Sequence, residues 1–426
     1  MASMRLASGS RRRRTAVAVL ASGALVAAVP ASVASAHSPD RGSRGGSYGH
    51  DPSGSVTTIV SGLKGPRGLA TADGKLIVTE TDGTFSLLKR NSSGTFTKVK
   101  LGQLTTDFSP AVDVGPDRTV WLLTGGGTKP GSATLFKWRW GSSKPMAVAD
   151  IGAYQKKDPD PFDLEKKPTD SNPFGVAALA DGSVLVADAG GNDLLRVSSD
   201  GKSIRTVARL KPRMVKVPTG LPKTIPGEPG EPAIKVPPAG TMVRAEAVAT
   251  SITVGSDGGW YVGELRGFPA TPGTSEIWRI RPGTVGATCD PANPSARSCK
   301  RFADGLTSIM DLAAGPSTPS CDHHSGDNGG DDQHSGHSDH GRGVAIYAVE
   351  MSKMSWLAVE LKKPGSEIGA LIKVSDWGRT QQELAAGQLK LPGGVVVGRD
   401  GVIYVAGPVL GPGSVVKVGT SDSHHR

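Results

Sequence analysis

A hairpin signature recurs along this 426-residue chain and limits the fold more than any other feature. The run from Gly68 to Glu80, with Asp73-Gly74 at its centre, is matched by Gly175 to Asp188 around Asp181-Gly182. It recurs in Ser251 to Glu264 around Asp257-Gly258, and in Gly394 to Ala406 around Asp400-Gly401. Ala111 to Thr124 is a degraded copy. Ile309–Gly315 and Val344–Glu350 form another, split by an insertion. Each copy reads as two short apolar strands joined by Asp-Gly, the preferred chemistry of a two-residue hairpin turn. A repeat period of roughly 40 to 50 residues signals a propeller or solenoid.

A third strand follows each hairpin, for example Ser86 to Arg90, Thr134 to Trp138 and Glu276 to Ile280. A fourth, edge-like strand follows in most copies, as in Ile204 to Leu210, and four strands make a propeller blade. The last copy lacks its fourth strand, whereas Val56 to Val60 stands unclaimed before the first. The expectation is an all-β fold: a six-bladed β-propeller of four-stranded blades over 55–419, its ring closed by the N-terminal strand so that no free edge remains. A two-sheet sandwich is the alternative, but it rarely repeats one hairpin with one turn signature. Composition agrees, since 58 Gly and 31 Pro put a breaker at about one position in five and leave little room for long helices.

Arg11 to Arg14, the apolar stretch Ala16 to Val29 and Ala34-Ser35-Ala36 have the form of a secretory signal peptide over 1–36, cleaved after Ala36. An uncleaved anchor is the weaker reading, because an apolar run of about 14 residues falls short of the roughly 20 a span needs. Ser10-Arg11-Arg12 leaves the twin-arginine route open beside the general one. Residues 37–54 read as a flexible Gly/Ser/His tail and 420–426 as a C-terminal tail, and the product is expected to be secreted, with no membrane span. Without Arg5 and Arg11 to Arg14 the formal charge of +10 falls to about +5, which makes no case for nucleic acid. Export permits disulfides, and Cys289 and Cys299 suit a bridge stapling a surface loop, with Cys321 left over.

In a propeller the loops between second and third strands, and those leading to the next blade, emerge on one face. The long segments Tyr154 to Ser171, Lys211 to Val243, Arg266 to Thr274 and Ser352 to Gly369 all fall there, so that face is the expected functional one. Lys211 to Val243 holds eight prolines and reads either as an extended cover across the channel mouth or as a mobile linker. Aligning the blades places Glu80, Thr124, Asp188, Glu264, Glu350 and Gly407 at one level, with Arg67 and Asn172 near them. Carboxylate and amide oxygens around a channel mouth suit Ca²⁺, with Glu80, Asn172, Asp188 and Glu264 as candidate ligands. The competing reading is structural: Asp188 and Asn192 fit a turn in which the carboxylate accepts backbone N–H groups.

All nine histidines lie outside the blade strands, which argues against a Ser-His-Asp triad on the framework. Gly45 to Gly49 matches a nucleophile-elbow pattern but has no strand before it. The insertion at 316–342, in blade 5, carries His323, His324, His334, His337 and His340. Its Gly, Ser and Asp content predicts a disordered, weakly transition-metal-binding loop rather than a structured site. Of the tryptophans, those within strands read as packing, and Trp356 as a ligand-contact candidate.

The runs Ser171 to Gly175, Val186 to Val197, Thr250 to Ile252 and Tyr261 to Pro269 resemble the ScyD/ScyE family of exported propeller proteins, related to NHL-type and gluconolactonase-like six-bladed propellers. The resemblance covers about Ser55 to Gly419 and implies a six-bladed propeller and export, with no enzymatic activity to carry over. In gluconolactonase-like relatives a divalent metal sits on Glu, Asn and Asp, and Glu80, Asn172 and Asp188 are similar in placement. Thr124 at the blade-two position breaks a full ligand set. The expected function is a secreted, monomeric binding or scaffold protein that uses the long-loop face around the central channel for a small molecule or an extracellular protein. The alternative is a divalent-metal-dependent hydrolase or lactonase at the channel mouth.

Overall fold

The computed structural model describes residues 54–91, 95–226, 233–316 and 343–419. Alternation of apolar residues along short β-branched runs builds six four-stranded antiparallel sheets arranged as the blades of a propeller. The inner strands are Leu69–Ala72, Ala111–Val114, Pro173–Ala178, Ala249–Val254, Ile309–Ala314 and Gly394–Val397. Each blade's second strand is nearly all buried, as in Val184–Asp188, Trp260–Glu264 and Ile346–Glu350, because it packs on both neighbouring blades. The leader, most of the tail that follows it, Cys321, the five insertion histidines and the C-terminal tail lie outside the described residues.

Ring closure follows the sequence expectation. Val56–Lys64 pairs antiparallel with Pro412–Val418, so the sixth blade takes its outer strand from the start of the chain. Leu63 is buried with Leu69, Val78, Ala406 and Val415 at the seam between blades 6 and 1.

The turns differ from expectation in an informative way. Only Asp73-Gly74 is a two-residue turn, with both residues at positive φ and Ala72 paired directly to Lys75. In blades 3, 4 and 6 the loop holds three residues: Leu179 N–H donates to the Ser183 carbonyl, Gly182 N–H returns to the Leu179 carbonyl, and Gly182 sits at φ 80°. This is the turn-plus-bulge hairpin. The aspartate's task is to accept the N–H two residues on, as Asp181, Asp257 and Asp400 all do. Blade 2 keeps that geometry with Arg118 at φ 65° in glycine's place, which explains its degraded sequence.

Two further departures bear on the site. The Cys289–Cys299 bridge forms, with the Cα atoms 5.2 Å apart, but both cysteines are fully buried rather than on a surface loop. Ala287–Cys289 adds in parallel to the outer strand of blade 3, while Cys299 opens the outer strand of blade 4, so the bridge ties two blades together. The proline-rich segment after blade 3 forms two antiparallel ribbons, Arg213–Lys216 with Met242–Ala245 and Thr224–Ile225 with Ile234–Lys235. Thr271 and Lys363, from the long loops of blades 4 and 5, donate to its Lys216 and Gly220 carbonyls. Ile225 is buried in the same apolar cluster as Phe108, Phe174 and Trp356. The segment therefore lies over the long-loop face.

Candidate functional site

On the long-loop face each aligned polar residue is bound by the chain's own groups. Glu80 accepts the Lys64 N–H at 2.9 Å and the Lys98 ammonium at 2.8 Å. Asp188, fully buried, accepts the N–H groups of Asn172, Gly190 and Gly191, the Ser171 hydroxyl at 2.7 Å and the Gln155 amide at 3.3 Å. Burial raises its pKa, and these bonds oppose the rise. Asn172 accepts Gly126 N–H at 2.8 Å. The Asn192 side chain reaches beyond its own turn, accepting Val248 N–H of blade 4 and donating to Asp160 of the long loop before blade 3.

Glu264 is fully buried, accepts the Trp278 indole N–H at 2.8 Å and pairs with Arg266, which also holds Glu276 at 3.1 Å. Burial pushes Glu264 up to about 8 against the pull of Arg266. Glu350 accepts Thr307 N–H at 2.6 Å and is raised to about 7 by burial. Trp356, expected to meet ligand, is 3% exposed in the short helix Trp356–Glu360 and donates its indole N–H to the Arg266 carbonyl.

Asn172 and Asp188 of the candidate Ca²⁺ ligands are bonded to each other, whereas Glu80 and Glu264 are each held by a cation of their own, Lys98 and Arg266. Among the described residues no three His, Cys, Asp or Glu side chains are placed to hold a metal ion. Arg67 is the exception in kind. It crosses from blade 1 to donate to Ser109 of blade 2 and Phe174 of blade 3 at 3.0 and 2.8 Å, and its guanidinium carbon lies 3.9 Å from the Phe174 ring centroid. Burial lowers it to about 10. With Phe108, whose ring stacks on Phe174 at 6.0 Å, it roofs the central channel on the long-loop side.

Below that roof lies a cavity of about 230 Å³ lined by the inner strands of all six blades. Every inner strand begins buried, and in five of the six its last residue is partly exposed, so the channel opens on the face of the Asp-Gly turns. Two carboxylates in its wall escape the sequence reading. Asp113 in blade 2 accepts Ala178 N–H of blade 3 at 2.7 Å, and Asp311 in blade 5 accepts Val395 N–H of blade 6 at 3.0 Å. The available signal was a lone aspartate in each of two otherwise apolar inner strands, on blades that a ring of six sets opposite each other.

Burial lifts Asp113 to about 6 and Asp311 to about 7, and lifts Glu165 to about 8 with help from Glu246. Unfolded carboxylates titrate near 4, so the native chain binds more protons than the unfolded one between about pH 4 and 8. Stability therefore falls as pH rises through that window. The thermal midpoint is expected to be higher at pH 5.5 than at pH 8, and Asp113→Asn with Asp311→Asn to flatten the difference. Equal midpoints in the parent protein would refute this.

No family model matches the chain, and no curated protein is significantly similar to it. Solved structures do share its shape. A glucose dehydrogenase is 14% identical, with a TM-score of 0.51 over 86% of this chain and 100% of that one. The PQQ-bound aldose sugar dehydrogenase of Streptomyces coelicolor is 12% identical, with a TM-score of 0.49 over 86% and 98%. A streptogramin B lyase is 15% identical, with a TM-score of 0.42 over the same shares. At 14% identity the glucose dehydrogenase likeness bears on the fold alone and says nothing of the chemistry.

Proposed function

We propose that this chain is an exported propeller of the ScyD/ScyE kind that acts by binding, engaging an extracellular protein with an acidic surface through its long-loop face. The observation that carries this reading is the outer side of the ribbon laid over that face. Met214 and Met242 are 51% and 49% exposed there, and Lys216 and Arg244 stand exposed beside them. The segment 211–245 has six Lys and Arg against Glu228 and Glu231; Lys211 and Arg213 pair with Asp290 and Asp304, and Lys216, Lys223, Lys235 and Arg244 are exposed. Adaptable thioethers beside cations suit a partner that brings acidic and apolar groups together. The leader 1–36 supplies export, and the buried disulfide is consistent with an oxidising compartment.

The hydrolase alternative would require Glu80 to leave Lys98, and Glu264 to leave Arg266, before either could hold a metal. The binding reading is tested with heparin-agarose as a polyanionic probe. The parent chain is expected to be retained at about 0.15 M salt. Lys216→Glu with Arg244→Glu is expected to elute earlier while melting at an unchanged temperature. Identical elution would remove the ribbon as the contact surface.

A further inference from the structure

We propose that the central channel, entered from the Asp-Gly turn face, is a binding cavity for a small zwitterion, one ammonium and one carboxylate, held between Arg67 at its closed end and the Asp113 and Asp311 carboxylates in its walls. This site lies away from the ribbon and does not depend on what the ribbon binds.

Size sets the first limit. A cavity of about 230 Å³ is smaller than a drug-sized pocket, and at roughly 30 Å³ per water it holds the volume of seven or eight waters. Arg67, Phe108 and Phe174 are all buried, which covers the long-loop end, so a ligand enters from the turn face.

Charge sets the second. Arg67 is 4% exposed, and its two hydrogen bonds go to neutral carbonyls. A guanidinium has five N–H donors, these bonds engage two of them, and Arg67 is among the residues lining the cavity. Its charged counterpart is Asp311, which acts through space and not through a hydrogen bond. A buried cation without a direct ion pair is costly, and an incoming carboxylate supplies a partner in contact.

Asp113 and Asp311 present the opposite need. Each oxygen accepts one backbone N–H: Val114 and Ala178 for the first, Leu312 and Val395 for the second. A carboxylate offers about four acceptor positions, so both retain room for an ammonium. Burial among the inner strands raises the pKa of both. An amine alone leaves Arg67 without an anion in contact, an anion alone meets two carboxylates, and a metal cation meets the guanidinium. Only a molecule with both charges answers all three groups.

The test titrates the full chain with glycine, 4-aminobutyrate and 6-aminohexanoate against hexylamine and hexanoate, by calorimetry and thermal unfolding. At least one zwitterion is expected to bind one-to-one, with hexylamine and hexanoate at least about tenfold weaker, a difference of about 1.4 kcal/mol. Asp113→Asn and Asp311→Asn are each expected to weaken the zwitterion by a similar factor. The proposal is overturned if no zwitterion binds, if hexylamine binds equally well, or if folded Asn variants bind as the parent does. The comparison among probes needs no variant, so it stands even where a substitution unfolds the chain.

Discussion

Replacing Arg266 with alanine is expected to destabilise the propeller by about 3–5 kcal/mol, the range for removing one partner of a buried ion pair. The guanidinium is 1% exposed and sits between two carboxylates, Glu264 and Glu276, that are both fully buried. Its other donors hold the Thr274 and Glu246 carbonyls, which fixes the long loop of blade 4. Without it, Glu276 keeps Arg301 and Arg213 at 2.9 and 3.3 Å, whereas Glu264 keeps the Trp278 indole and no cation in contact among the described residues.

The loss carries a signature in pH. Burial raises Glu264, and Arg266 pulls it down. Removing the cation raises it further, so the variant folds with Glu264 protonated, and the proton is harder to acquire as pH rises. Urea unfolding is expected to show a larger deficit at pH 8 than at pH 5.5, and Arg266→Met with Glu264→Gln is expected to recover part of it. A loss below about 1 kcal/mol at both pH values, the size of an exposed pair, would show that the cluster is not the buried network described.

This cluster also marks the boundary of what the sequence makes legible. The ring was readable because Asp-Gly recurs at one place in each hairpin, and closure was readable because one strand stood unclaimed. Glu264 was picked out by the same alignment, yet its meaning rests on the third strand, where Trp278 and Glu276 come from across the sheet. Pairing register, not spacing along the chain, brings those groups together. Arg266 stands only two residues away, but its direction is set by φ 69°, which nothing in the local sequence announces. Trp356 shows the same limit: its segment reads as an exposed loop until a helix turns the indole inward. Asp113 and Asp311 were overlooked because alignment on acidic strand ends draws attention to one level of the ring, while the open cavity lies at another.

Deleting residues 54–64 is expected to abolish the single cooperative transition or to lower its midpoint by about 10 °C or more, since several kcal/mol of strand pairing and burial go with it. The deletion leaves Pro412–Val418 as a bare edge and opens the seam where Leu63 packs on Val78 and Val415. It also removes the Lys64 carbonyl and amide that hold Thr81 and Glu80 of blade 1. The geometry supplies its own control. Val56 pairs with Val418, and Gly419 N–H donates to the Ser55 carbonyl at 2.8 Å, so the strand's start lies beside the end of the described chain. Moving residues 55–64 behind Gly419 through an Asn-Gly turn, in place of 420–426, rebuilds the same ladder as an ordinary hairpin. That permuted chain is expected to melt near the parent. If it does and the deletion does not, the ring is held by pairing across its seam rather than by the order in which the chain supplies its strands. A deletion that melts like the parent would instead assign the ring's integrity to packing between blades, with the closing strand only shielding an edge.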